Sequence, residues 1–247
     1  MPIQLTKFYL VSLLLIINIR SLSQQILADS SSSLGYKSAV AFYNDTLHEE
    51  LNVFNGREDK GYVYKFVEGT PYFITDSWAK GTLNYEGKPY ADVSLLYDVF
   101  KDELVYLYLD KISRVRLSKE KVSGFFISGH HFIQLTPDSV RSSSLPAGFY
   151  DELYHSSVSL LVKRTKNIQS FIRQTTEEFK VFSKDHYYLR KRDNYFAVGG
   201  KKSFLQNLSD KRKELQQYIK QNKLNFKKNP EMAMIQTLAY YDQLINK

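Results

Sequence analysis

The chain has 247 residues, 43% of them hydrophobic, with no cysteine and a formal net charge of +8. The missing cysteines exclude a disulfide framework, thiolate metal ligands, a cysteine nucleophile and a lipidated cysteine. The length suits one large domain or two small ones, and no apolar run beyond the first twenty residues approaches the roughly 18 to 20 residues of a spanning helix.

The first elements read as an export signal. Lys7 supplies a positive n-region, and Phe8 to Ile19 (FYLVSLLLIINI) is an apolar stretch of twelve residues, too short to cross a bilayer comfortably. Ser21 and Ser23 then take the small-x-small positions ahead of Gln24, with Ala28 offering a later cut. Residues 1–23 are therefore expected to be removed, sending the product to the periplasm or cell envelope, or out of the cell, with no transmembrane span after cleavage. Residues 24–38, which include DSSSS at Asp29 to Ser33, read as a flexible leader. Val40, Tyr43, Leu47 and Leu51 recur at helical spacing and predict a short helix over Ala39 to Phe54.

From Gly61 to about Val162 the texture changes to short Tyr-, Phe- and Val-rich runs divided by turn residues: GYVYKFV, TPYFI, KGTLNY, PYADVSLLYDVF, LVYLYL, ISRVRL, VSGFFIS, GHHFIQL. Such side chains pack well on a pleated surface, and the frequent breaks predict hairpins. Val93 to Leu96 and Leu104 to Leu109 hold apolar neighbours in sequence, so some strands are expected to be covered on both faces, which requires strong curvature. Ile168 to Phe182 reads as strand, and Tyr187 to Arg190 with Tyr195 to Val198 as a hairpin around RKRDN.

After Gly199 and Gly200 the period becomes helical. Phe204, Leu205 and Leu208 line one short helix, and Leu215, Tyr218 and Ile219 a second, with Ser209 and Asp210 as its capping residues. Asn229 at N-cap, Pro230 at the first position and Glu231 near the positive end of the dipole open a third, whose apolar stripe is Met234, Leu238, Tyr241 and Ile245. The expected fold class is α+β: a curved antiparallel β-meander or partial barrel in a body over residues 39–198, covered by C-terminal helices over 199–247.

The charge is unevenly divided. Residues 24–162 hold 13 Lys and Arg against 18 Asp and Glu, whereas residues 163–247 hold 19 against 8. The excess gathers at Lys163, Arg164 and Lys166, at Arg190, Lys191 and Arg192, at Lys201 and Lys202, and at Lys211, Arg212 and Lys213. On an exported chain such a field points to an anionic envelope surface or an acidic protein partner, and not to nucleic acid, because no groove-reading module accompanies it. The plainer reading is a solvated face together with attraction between the two halves.

Motifs for chemistry are scarce. His130 and His131 are adjacent, so on a strand they face opposite ways and share a metal only from a bulge or turn at Gly129. HEELN at His48 lacks the second histidine of a zinc-protease helix, and no G-x-S-x-G elbow occurs. VGGKKS (Val198 to Ser203) fails the phosphate-loop pattern and reads as a turn entering a helix. Asp98, Asp102, Glu103, Asp151 and Glu152 are the carboxylates available for acid/base pairing, with turns and surface as their ordinary place. Trp78, the only tryptophan, is a loop anchor or core plug, or else a ligand-stacking platform. No catalytic, metal or cofactor residue is assigned; the binding candidates are Lys211, Arg212, Lys213, Trp78, His130 and His131.

The runs EGTPYFITDSWAKGTLNYEGKPYADVSLLYDVFKDELVYL, VSGFFISGHHFIQL, GFYDELY and YYLRKRDNYFAVGGKKSFLQNLSDKRKELQQYIKQNKLNFKKNPE together resemble a family of exported Gram-negative bacterial proteins with no assigned function. The resemblance covers about residues 60–245 and implies an envelope location and one composite unit of strands followed by helices. The meander also looks loosely like the open half-barrels of lipoprotein carriers. The leading expectation is a non-enzymatic binding or accessory protein, set against a hydrolase-type enzyme with an unrecognised site and a lipid or lipoprotein carrier. Envelope-fraction protein is expected to begin at Gln24 on N-terminal sequencing; a cytosolic chain retaining Met1 would refute the export signal.

Overall fold

Runs rich in Tyr, Phe and β-branched residues, cut by turns, build one twelve-stranded sheet in the computed structural model, which describes residues 56–108, 110–140, 145–192 and 194–246. The export signal, the leader and the helix expected over 39–54 lie outside the described residues. The strands are β1 Arg57–Glu58, β2 Phe66–Glu68, β3 Ala79–Tyr85, β4 Lys88–Asp98, β5 Glu103–Leu107, β6 Arg114–Arg116, β7 Val122–Ile127, β8 His130–Leu135, β9 Gly148–Tyr154, β10 Val158–Arg173, β11 Thr176–Lys191 and β12 Asn194–Val198. Their order is β1-β6-β5-β4-β3-β7-β8-β9-β10-β11-β12, antiparallel throughout, with β2 added in parallel to β11. Strands β3 to β6 walk outward in one direction. A short 3-10 turn at Lys119–Lys121 then returns the chain to the other side of β3, and β7 to β12 walk the opposite way.

The sheet is open and strongly curved, as the doubly apolar runs predict. Leu95 and Leu96 are both buried, as are Leu104 and Val105, so neighbouring side chains on opposite faces are both covered. Inside the curl Phe73, Tyr97, Phe125, Phe132 and Phe149 pack ring on ring, with Phe125 and Phe132 stacked at 4.8 Å and most other pairs edge to face. The β7–β8 hairpin turns through Ser128 and Gly129, both with positive φ (51° and 82°), as a two-residue turn matched to strand twist demands.

Strands β10 and β11 pair without a break from Val158↔Lys191 to Arg173↔Thr176, a ribbon about 50 Å long. Only its root joins β9, through Leu160 to Val162. The segment between β1 and β3 straps the sheet together: β1 pairs β6, β2 pairs β11, and Tyr72 bridges Asp98 of β4. Lys166 of β10 donates to the carbonyls of Thr70 and Tyr72 from the other side.

Three helices follow: α1 Lys201–Asn207, α2 Arg212–Gln221 and α3 Pro230–Ile245. VGGKKS is indeed a turn into a helix, where Ser203 Oγ accepts from the backbone N–H groups of Gly199 and Gly200. Three local expectations are corrected. The strand expected over Ile168 to Phe182 is split between β10 and β11 by a tight turn at Gln174 and Thr175, Gln174 taking a positive φ of 59°. Ser209 and Asp210 lie in a 3-10 turn ahead of α2, whose N-cap is Lys211, because the Asp210 carboxylate is taken by Tyr241 Oη. Ile245 stays exposed at the end of α3, while Met234, Leu238 and Tyr241 are buried.

The helices cover the roots of β10 to β12. Val158, Leu160, Leu189 and Val198 from the sheet form one core with Phe204, Leu205, Leu208, Leu215, Ile219, Met234, Leu238 and Tyr241. Two carboxylates then hold α3 near both of its ends. Glu231 accepts from Arg164 Nη1 (2.5 Å) and Tyr187 Oη (3.2 Å), and Asp242 accepts from Tyr154 Oη and Ser157 Oγ. Leu238 is fully buried in this core, so Leu238→Ala is expected to destabilise the fold by about 2 to 5 kcal/mol in urea denaturation. A loss under about 0.5 kcal/mol, the range of surface changes, would mean the helices are not integral to it.

Candidate functional site

The carboxylates available from the sequence for acid/base work are engaged as structural acceptors. Asp98 accepts from Tyr62 Oη (2.8 Å) and the Lys101 N–H (3.0 Å), and Glu103 pairs with Arg116 at 3.1 Å. Asp102, in the β4–β5 turn, accepts from Tyr97 Oη (2.6 Å), from Lys163 Nζ (2.8 Å) and from Lys119 Nζ. Lys163 is buried on β10 and also donates to the Phe149 carbonyl at 3.1 Å. Gly148 permits this junction: its φ of +143° disfavours a side chain, and a Cβ there would lie 2.2 Å from Asp102 Oδ2 and 2.5 Å from Lys163 Nζ. Burial works to raise the Asp102 carboxyl, but the Lys163 charge and the three donors outweigh it and hold it below its ordinary value.

The two adjacent histidines do face opposite ways. His130 Nδ1 sits 2.8 Å from Asp151 Oδ2, with its ring edge-on to Phe73, while His131 Nδ1 sits 3.3 Å from Glu152 on the other face. The turn at Gly129 lies before both residues and so leaves the alternation intact. Asp151 also receives Arg164 through Nη2 at 2.6 Å and Nε at 3.1 Å; the same guanidinium reaches Asp185 at 2.8 Å. Among the described residues, no cluster of three or more His, Asp or Glu could hold a metal. Trp78 is half-buried beside Tyr72, Leu96 and Val105, with the Arg114 guanidinium 5.5 Å over its ring.

The basic clusters separate into two kinds. Lys163, Arg164 and Lys166 turn inward as described, so attraction between the acidic and basic halves is built into the core. The helical layer keeps its cations outside: Lys201, Lys202, Arg212, Lys213, Lys220, Lys223, Lys227 and Lys228 are exposed and Lys211 is half-buried. None of these nine forms an ion pair with another described residue. At about 100° per residue, Lys213 and Lys220 share an outer arc of α2, away from the buried Leu215 and Ile219, whereas Arg212, in the first turn, is exposed from the side of the helix that carries Leu215 and Ile219. Asp210 and Glu214 are the acidic residues between 199 and 229, and Asp210 lies 3.6 Å from Lys191.

Sequence reasoning missed the Asp102–Lys163 junction and the role of Glu231, which reads as a dipole partner but binds Arg164. The available signal was Lys163 directly after the apolar run Val158 to Val162, where a charge must find a partner once it is buried. Asp102→Asn is expected to cost about 3 to 5 kcal/mol at pH 7, since Lys163 then stays buried without its counter-charge. In the wild type the carboxylate's contribution is present above the unfolded Asp value, about pH 4, and is lost as pH falls through the lower folded-state value. Urea midpoints across pH should show that acid-side loss in the wild type and less of it in the variant; identical profiles would refute the assignment. Comparison with family models, curated proteins and solved structures finds no match, so the functional reading rests on these residues themselves.

Proposed function

We propose that this chain is an exported cell-envelope protein that works by binding, attached through its helical layer to an anionic envelope surface. The observation that carries the proposal is the row of exposed cations on and around α1 and α2, unpaired among the described residues and facing away from the core. Charges needed only for solubility are usually mixed in sign, whereas this layer sets eight exposed cations against Asp210 and Glu214. A field of one sign attracts anionic partners over a Debye length and strengthens as salt is lowered. The inward-facing charges support a binding reading further, because Asp98, Asp102 and Asp151 are committed to holding the sheet. Rings fill the interior of the curl, which favours a contact surface on the outside.

The wild-type protein is expected to co-sediment with phosphatidylglycerol vesicles at low salt and to be released as ionic strength passes about 0.15 M, where the Debye length is about 8 Å. The triple variant Arg212→Glu, Lys213→Glu, Lys220→Glu, which reverses three exposed cations, should bind far less while its thermal melt shifts little, since exposed charges contribute about 0 to 1 kcal/mol each. An acidic polysaccharide in a parallel series separates lipid from glycan as the surface recognised. Equal sedimentation of both proteins, or sedimentation insensitive to salt, would overturn the proposal.

A further inference from the structure

A second feature lies away from the outer arc of α2, where the β9–β10 turn meets the β11–β12 hairpin. Ser139, Ser156, Ser157, Ser159, Arg190, Arg192 and Tyr195 line a depression of about 470 Å³ there. That volume falls in the range that holds small molecules. Its lining is chemically selective: hydroxyls, two guanidiniums and a phenol ring.

The depression is also pre-organised. Ser159 is 2% exposed, and its Oγ accepts from Arg190 Nη2 at 3.2 Å while lying 3.2 Å from His155 Nδ1. Arg190 is thus held in place from below, with Glu152 3.9 Å away on its flank. Ser157 is fixed by donating to Asp242, and Ser139 by donating to the Thr136 carbonyl at 2.8 Å. Arg192, in the β11–β12 turn, is exposed and forms no ion pair with another described residue. Glu152 balances part of the charge of Arg190, so among the described residues Arg192 gives the depression its net positive character.

We infer that this depression is a binding site for a small polyhydroxylated anion, such as a sugar bearing a phosphate, sulfate or carboxylate group. Planar guanidiniums recognise such oxyanions through paired, charge-assisted hydrogen bonds, and Arg190 and Arg192 border one space. The surrounding serine hydroxyls donate and accept, as the hydroxyls of a sugar require. Tyr195 adds an aromatic wall for the apolar face of such a ring. The site is independent of the attachment surface proposed above, because Lys213 and Lys220 take no part in it.

Isothermal titration with glucose 6-phosphate, glucose 6-sulfate, glucuronate and plain glucose tests the inference and identifies the anionic group preferred. At least one of the three anions should bind the full chain with Kd below about 1 mM, and glucose at least about tenfold more weakly. Arg192→Gln, an exposed turn substitution, should weaken that anion by about tenfold or more with an unchanged melting temperature, the loss of one charge-assisted contact. The double variant Lys213→Glu, Lys220→Glu should retain the affinity. No binding by any of the three anions would overturn the inference, as would binding that Arg192→Gln leaves within about twofold or that the helix variant abolishes.

Discussion

The junction between Asp102 and Lys163 is the constraint on which the shape of this molecule depends. Strands β4 and β10 are separated in the sheet by β3, β7, β8 and β9, five strand spacings that would place them about 24 Å apart if the sheet were flat. Nevertheless, the turn after β4 touches β10 at 2.8 Å. Only a sheet rolled on itself can meet that distance, and rolling brings the rings of Tyr97, Phe125, Phe132 and Phe149 into one interior. The ion pair and the aromatic core therefore presuppose each other. Burial of the lysine is tolerable only with Asp102 in place, and Asp102 reaches it only when the rings have packed.

A rolled sheet that does not close still has open edges and an open side, and the rest of the chain deals with both. The strap between β1 and β3 ties the β4–β6 side to the long β10–β11 ribbon through β2 and through Lys166. The helices cover the root of that ribbon with a shared apolar core, and Glu231 and Asp242 set the position of α3 on it. Helices held this way must expose their remaining faces, and the lysines and arginines of the C-terminal region fall there. The exposed basic layer is thus a consequence of how the sheet is covered. The serine and arginine depression arises similarly, where the β9–β10 turn and the β11–β12 hairpin meet at the ribbon's root.

Much of the architecture was legible from local pattern. Leu95 beside Leu96 announced a strand covered on both faces, the alternation rule placed His130 and His131 on opposite faces, and Pro230 marked the start of the last helix. Each of these follows from the period of the backbone and needs no knowledge of distant partners. Reading Ser209 and Asp210 as caps failed for the opposite reason. Asp210 had a better partner in Tyr241, 31 residues away, and a local rule has no access to that competition.

The same division separates the two kinds of basic residue. By itself the sequence determined strand and helix periods, the turn at Ser128 and Gly129 and the excess of positive charge after residue 162, all of them properties of neighbouring residues. Only the tertiary structure decided which of those charges face solvent. Lys163 meets Asp102 across 61 residues, Arg164 meets Glu231 across 67, and Lys166 meets Thr70 across 96. Lys213 meets no such partner among the described residues. In the sequence all four are alike, because whether a lysine or arginine is solvated or buried with a counter-charge depends on what the fold brings within a few ångströms of it.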